Sequence, residues 1–138
     1  MLSSAEAKTM ETEQGVLMGD DQELELTWLR VCSLADIIPG TGVAALVNGE
    51  QIAIVRAPNG VELYALSNFD PFSKAFVIAR GIVGDRAGVP KIASPIFKQN
   101  FDLRSGRCLD DPNVSLVTYP VRERAGAVEV GISKARST

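Results

Sequence analysis

Two-residue turn signals recur along the chain and divide it into short segments, and this pattern limits the fold more than any other feature of the sequence. Asn48-Gly49 lies between Val43–Val47 and Gln51–Arg56, and both residues of such a dipeptide tolerate the positive φ angles of a type I′ hairpin. Pro58-Asn59-Gly60 then leads into a third segment, Val61–Leu66. Short strands between frequent turns are typical of an all-β sandwich or barrel.

The rest of the chain continues the pattern of short strands. Further strands are predicted at Trp28–Val31, Gly81–Asp85, Lys91–Ala93, Asn100–Leu103, Val117–Arg124 and Ala127–Ile132, the last two forming a hairpin about Ala125-Gly126. The segments Ser67–Ala79 and Ser94–Gln99 carry Asn, Asp, Pro and Ser between the strands, and they are predicted to be irregular loops. We therefore expect one β-domain over residues 25–133, with a flexible acidic tail at 1–24 and a polar tail at 134–138.

Histidine is absent from all 138 residues, and this absence removes most enzyme classes. It excludes a serine or cysteine nucleophile paired with histidine, a His-ligated metal, and the commonest general base near neutral pH. The net charge of −3 offers no electrostatic basis for binding nucleic acid or an anionic membrane. The N-terminus has no pattern of a secretory signal, and the two cysteines make no disulfide framework. We expect a cytoplasmic protein, and any chemistry of this chain alone would have to use carboxylates, lysines or the backbone.

The two predicted loops carry the most specific motifs. The first is Asn68-Phe69-Asp70-Pro71-Phe72, and the second is the run Ser94-Pro95-Ile96-Phe97-Lys98-Gln99-Asn100-Phe101-Asp102-Leu103. Together they resemble the two loops of a Rieske domain, a β-sandwich that holds a two-iron cluster with Cys-x-His on one loop and Cys-x-x-His on the other. In that comparison Asp70 and Ser94 stand at the cysteine positions, and Phe72 and Phe97 stand at the histidine positions. These four side chains cannot replace two thiolates and two imidazoles as ligands of the irons.

Within the Rieske-like group, these motifs are similar to the small subunits of assimilatory NAD(P)H-dependent nitrite reductases, over about residues 27–132. The resemblance implies a Rieske-like β-sandwich with two long loops at one end, and no cofactor or metal in this chain. It also implies one partner, a large subunit that carries FAD, an iron–sulfur cluster and sirohaem and reduces nitrite to ammonium. The chain would support that subunit without taking part in catalysis. The alternatives are a stand-alone binding module for another oxidoreductase and a ferredoxin of a ring-hydroxylating oxygenase, which requires a cluster.

The loop ends permit two interpretations. Pro71, Phe72, Pro95, Phe97 and Lys98 could form a docking surface for the large subunit. Alternatively, both phenylalanines fill the space that a cluster would take, and each buried ring would stabilise the fold by roughly 1.5–3 kcal/mol. We favour the second interpretation, because large aromatic side chains are usually core residues.

Two groups of charged residues are expected to have no special role. The carboxylates of Asp102, Asp110 and Asp111 lack the alternating spacing of a cation-binding loop and suit solvated turns. Lys74, Arg80 and Lys98 are expected to form a solvated rim near the loops.

Overall fold

The protein is all-β, as a computed structural model shows for residues 16–19 and 22–133, with side chains described from residue 26 onward. Within this part of the chain there are thirteen strands and two short 3-10 turns. The strands are β1 (Val16–Gly19), β2 (Gln22–Ser33), β3 (Gly42–Val47), β4 (Glu50–Arg56), β5 (Leu63–Ser67), β6 (Phe69–Asp70), β7 (Ala75–Phe76), β8 (Ile82–Arg86), β9 (Val89–Ala93), β10 (Asn100–Asp102), β11 (Thr118–Tyr119), β12 (Val121–Arg124) and β13 (Ala127–Ser133).

Three antiparallel sheets form the body of the domain. A four-stranded sheet has the order β11-β5-β4-β3, a second has the order β1-β2-β13-β12, and a three-stranded sheet has the order β10-β9-β8. The short strands β6 and β7 pair only with each other. Within the described residues, no helix is long and apolar enough to cross a membrane.

Strand β4 shows how the sheets pack, because four of its seven residues, 52–55, are buried. Ile52 and Ile54 belong to a core with Val128 and Val130 of β13. Ala53 and Val55 point the other way, into a core that also holds Phe101 and Ile92 of the three-stranded sheet. Successive side chains of a strand alternate between the two faces of a sheet. The β11-β5-β4-β3 sheet is therefore covered on both faces, which accounts for the uninterrupted apolar sequence Ile-Ala-Ile-Val.

The hairpin turns confirm the predictions made from their dipeptides. Asn48 and Gly49 have φ angles of 52° and 83°, and Ala125 and Gly126 have 50° and 85°. Two successive positive φ values are those of a type I′ turn, which matches the right-handed twist of the flanking strands. A third turn of this kind, Ala87-Gly88, joins β8 to β9.

Three features differ from the sequence-based expectations. Strand β1 and the first residues of β2 lie inside segment 1–24, which was expected to be a tail, and residues 1–15 and 134–138 lie outside the described residues. The predicted strand Val117–Arg124 is divided at Pro120 into β11 and β12, which belong to different sheets. Proline has no N–H for a ladder, and its carbonyl instead accepts from the Gly131 N–H at 2.9 Å. The predicted loop Ser67–Ala79 contains the small β6–β7 hairpin.

Candidate functional site

The first loop of the candidate site, residues 69–77, is held at its base by Asn68. This side chain is 2% exposed, and its Oδ1 accepts a hydrogen bond from the Ala79 N–H at 2.7 Å. The Asn68 backbone also accepts from the Ile78 N–H at 3.1 Å and donates to the Gln51 carbonyl at 3.0 Å. One residue therefore joins the two ends of the loop to each other and to β4. We call residues 69–77 the first tip loop.

The second tip loop, residues 94–99, connects β9 to β10. The Ser94 N–H donates to the Gln99 carbonyl at 2.9 Å and closes the loop at its base. Gly81 lies against this base. A Cβ atom at Gly81 would lie 2.3 Å from the Ala93 carbonyl oxygen, so only glycine fits there.

The two loops repeat one local pattern. Each contains a small polar residue followed by proline, as Asp70-Pro71 and Ser94-Pro95, and each has a lysine four residues after that polar residue. Lys74 and Lys98 both have φ of 63°, the left-handed conformation that lets the chain turn back. In the first loop, the Lys74 N–H donates to the Asp70 carbonyl at 2.7 Å.

The loops meet at a buried carboxylate. Asp70 is 0% exposed and Ser94 is 1% exposed, and the Ser94 hydroxyl donates to Oδ2 of Asp70 at 2.5 Å. The Ser73 hydroxyl donates to the same oxygen at 2.9 Å, and the Phe72 N–H donates to Oδ1 at 2.9 Å. Burial by itself raises the pKa of the Asp70 carboxyl, but the hydrogen bonds from Ser94, Phe72 and Ser73 outweigh it and lower the pKa below its ordinary value. The group is therefore a buried carboxylate ion near neutral pH.

The two phenylalanines differ in their environments. Phe72 is half-buried and packs against Phe101, with ring centroids 6.2 Å apart. Phe97 is 59% exposed, and its neighbour Ile96 is 46% exposed. The expectation that both rings fill the space of a cluster is therefore wrong for Phe97. For Phe72, which packs against the core residue Phe101, it stays a prediction. The second tip loop turns Phe97 outward to solvent. The residues that meet between the two loops are Asp70 and Ser94.

The remaining residues of the expected docking surface divide in the same way. Pro71 is half-buried, and Pro95 and Lys98 are exposed. The second tip loop thus presents four consecutive exposed residues, 95–98, of which the first three are apolar.

The residues at this site do not fit a two-iron cluster. Histidine is absent from the whole chain, and the two cysteines are free thiols at other places. Cys108 is buried in the core beside Phe101, and Cys32 lies on β2, where burial raises the pKa of its thiol. The oxygens of Asp70 and Ser94 are hydrogen-bonded to each other. Within the described residues, no three side chains of the metal-binding types lie together.

The acidic residues outside the loops have structural partners. Asp110 accepts from the Asn100 N–H at 2.8 Å and forms an ion pair with Arg86 at 3.2 Å. The hydrogen bond from Asn100 is the main reason why the pKa of the Asp110 carboxyl is lowered. Asp102 and Asp111 each accept from a backbone N–H two residues later, at 2.8 and 3.0 Å, as in a turn. Lys74, Arg80 and Lys98 are exposed.

Sequence reasoning missed the roles of Asn68 and Ser73. Asn68 was part of the first motif, but a side chain that closes a loop is recognised only when the partner N–H at Ala79 is known to be close. The sequence does contain one signal of the loop shapes. Both loops share a small polar residue, a proline and a later lysine, which indicates that they have similar shapes.

Comparison with known proteins agrees with these observations. The family model of the Rieske-like [2Fe-2S] domain matches residues 27–131. The small subunit of NADH nitrite reductase from Salmonella typhimurium is 42% identical over 103 residues, which cover 75% of this chain and 95% of that protein. The solution structure of the nitrite reductase [NAD(P)H] small subunit from Erwinia carotovora has a TM-score of 0.67 and 46% identity, covering 76% of this chain and 81% of that one.

A further relative has a different size. The large subunit of nitrite reductase [NAD(P)H] from Klebsiella oxytoca is 38% identical over 104 residues, which cover 75% of this chain but 11% of that protein. The domain therefore also occurs as a small part of a much longer chain.

Proposed function

The chain belongs to the family of nitrite reductase small subunits, built on the Rieske-like [2Fe-2S] domain, and from that membership we propose that it supports a large catalytic subunit without a cluster of its own. The predicted Rieske-like fold and the predicted family are both confirmed by these matches. The proposed enzyme reduces nitrite to ammonium with NADH or NADPH in the cytoplasm. The two free cysteines suit a reducing compartment.

The proposal rests on the two forms in which relatives of this domain occur, as a separate small subunit and as part of a large-subunit chain. It makes up 95% of a separate small subunit in Salmonella typhimurium and 11% of a large-subunit chain in Klebsiella oxytoca. A domain that is covalently joined to the large chain in one relative is held at that chain at high effective concentration. This supports a large subunit as the partner of the separate chain.

The proposed role is non-catalytic because the positions at which a Rieske domain would hold its cluster carry no cluster ligand in this chain. It has no histidine, and Asp70, the buried carboxylate of the tip loops, has its oxygens hydrogen-bonded by Ser94, Ser73 and Phe72. We expect FAD, an iron–sulfur cluster and sirohaem to be in the large subunit. The small subunit would then stabilise that subunit or shape its electron path.

We also propose that the end of the domain with the two tip loops contacts the large subunit. Ile96 and Phe97 expose 46% and 59% of their surfaces there. Adjacent exposed apolar residues with a charged neighbour, here Lys98, suit the centre and rim of an interface. Pro95 extends the exposed apolar segment, and Pro71 and Phe72 are half-buried in the first tip loop.

Co-purification tests the proposed partner. Tagged chain isolated from nitrite-grown cells is expected to recover a large sirohaem protein in a fixed ratio. Recovery of a different oxidoreductase, while the large subunit is present in the same extract, would favour the stand-alone binding module. A brown sample with the EPR signal of a reduced two-iron cluster would instead favour a ferredoxin role.

A further inference from the structure

The contact between Asp70 and Ser94 joins two segments that are far apart in the sequence. Asp70 lies in the first tip loop and Ser94 begins the second, 24 residues later. Their side chains meet at 2.5 Å in a region where both are at most 1% exposed. In the resemblance to Rieske domains these are the two cysteine positions, so the hydrogen bond lies where cluster ligands would converge.

The chemistry of this contact is that of a strong hydrogen bond. A buried carboxylate is costly unless hydrogen bonds replace its lost hydration. Asp70 receives two hydroxyl donors on Oδ2 and one N–H donor on Oδ1. Of these three donors, those from Ser73 and Phe72 are within the first loop. Only the donor from Ser94 comes from the second loop.

The two loops are anchored separately at their bases, by Asn68 in the first and by the bond from Ser94 N–H to the Gln99 carbonyl in the second. These anchors fix where each loop leaves the sheets, but they do not fix one loop relative to the other. That relation depends on contacts between the loops, and the Asp70–Ser94 hydrogen bond is a buried contact of this kind.

We propose that the Asp70–Ser94 hydrogen bond replaces a cluster as the cross-link between the two tip loops and holds them in the shape that binds the large subunit. Asp70 and Ser94 are then positioning residues for association. The part of this inference that concerns the partner rests on the proposed function. The part that concerns the loops stands on the contact itself.

The matched pair Ser94→Ala and Ser73→Ala tests the cross-link. Each variant removes one hydroxyl from the same Oδ2 atom of Asp70, but only Ser94→Ala removes the bond between the loops. A hydrogen bond to a charged group corresponds to roughly a 10- to 100-fold change in an equilibrium. Amide hydrogen exchange of the isolated chain is expected to quicken by about this factor in both loops in Ser94→Ala. In Ser73→Ala the change is expected in the first loop alone.

Affinity for the large subunit gives the second readout. Ser94→Ala is expected to bind about tenfold more weakly than the wild type, as 1.4 kcal/mol of lost preorganisation would give, and Ser73→Ala is expected to bind within about twofold of it. Equal exchange in the two variants, or full affinity in Ser94→Ala, would overturn the proposal. If the wild type does not bind the large subunit at all, the proposed function fails, while the exchange measurement still decides whether the loops are cross-linked.

A second set of variants keeps the test decisive if Ser94→Ala does not fold. Ser94→Cys keeps a side chain of similar size and replaces the hydroxyl by a weak donor. It is expected to quicken exchange in both loops in the same direction. In an Asp70→Asn background, Ser94→Cys is expected to have a smaller effect than in the wild type, because the charged acceptor is already gone. Equal effects in the two backgrounds would show that Ser94 acts independently of Asp70.

Discussion

Replacing each of the two phenylalanines of the tip loops by serine is expected to affect stability and binding to different extents. Phe97 is 59% exposed, so less than half of its surface contributes to folding, and Phe97→Ser should cost under about 1 kcal/mol of unfolding free energy. Phe72 is half-buried against Phe101, and Phe72→Ser should cost about 2 kcal/mol, from lost burial and lost ring contact.

For binding, the expected order is reversed. If the large subunit covers the exposed part of Phe97, roughly 120 Å² of apolar surface is withdrawn from water, which is worth about 3 kcal/mol at most. Phe97→Ser should therefore weaken association by roughly 30- to 100-fold. Val61, which is 75% exposed and follows the turn at the far end of β4, is the matched control, and Val61→Ser should bind as the wild type does.

Urea denaturation measures the stability of each variant, and titration of the purified large subunit measures its affinity. Phe97→Ser with nearly wild-type stability and unchanged affinity would refute the assignment of the tip loops to the interface. A loss of several kcal/mol in the stability of Phe97→Ser would refute the exposed position of its ring.

Three further predictions concern the fold. Asp70→Asn should lower stability at pH 7 but make the remaining stability less sensitive to acid. The pKa of Asp70 is lowered in the folded state, so the unfolded chain takes up its proton first and wild-type stability is lost as pH falls below about 4; urea titrations from pH 3 to 7 would show no such difference if the carboxyl were not hydrogen-bonded. Gly81→Ala should cost about 1–3 kcal/mol, because its Cβ would lie 2.3 Å from the Ala93 carbonyl oxygen, and an unchanged melting temperature would contradict that close approach. Phe101→Ala should cost about 3–5 kcal/mol in denaturant unfolding, since Phe101 is 0% exposed, and a loss under 1 kcal/mol would place it outside the core.

The sequence predicted most of the body of the fold because its signals are local. Asn48-Gly49 and Ala125-Gly126 determine their turns through the φ angles that these residues accept. The strands beside them follow from the apolar segments. The break between β11 and β12 at Pro120 could also have been predicted, since proline cannot continue a ladder on both sides. Strand β1 was not predicted because its segment has no sustained periodicity.

The candidate site was predicted only in part because its arrangement depends on long-range contacts. The four positions Asp70, Phe72, Ser94 and Phe97 were identified because two motifs resemble the ligand loops of Rieske domains. That Asp70 accepts from Ser94, and that Phe97 turns outward while Phe72 turns inward, depends on how the two loops approach each other. No local pattern in either loop contains that information.

Reconstitution of nitrite reduction tests whether this chain supports the large subunit without a cluster of its own. Purified large subunit is assayed for nitrite-dependent oxidation of NADH or NADPH and for ammonium, with and without this chain, and the iron content of the added chain is measured. The chain is expected to raise the activity or stability of the large subunit while it contains no iron itself. Full activity and stability of the large subunit without the chain, or a requirement for a two-iron cluster bound to the chain, would contradict that expectation.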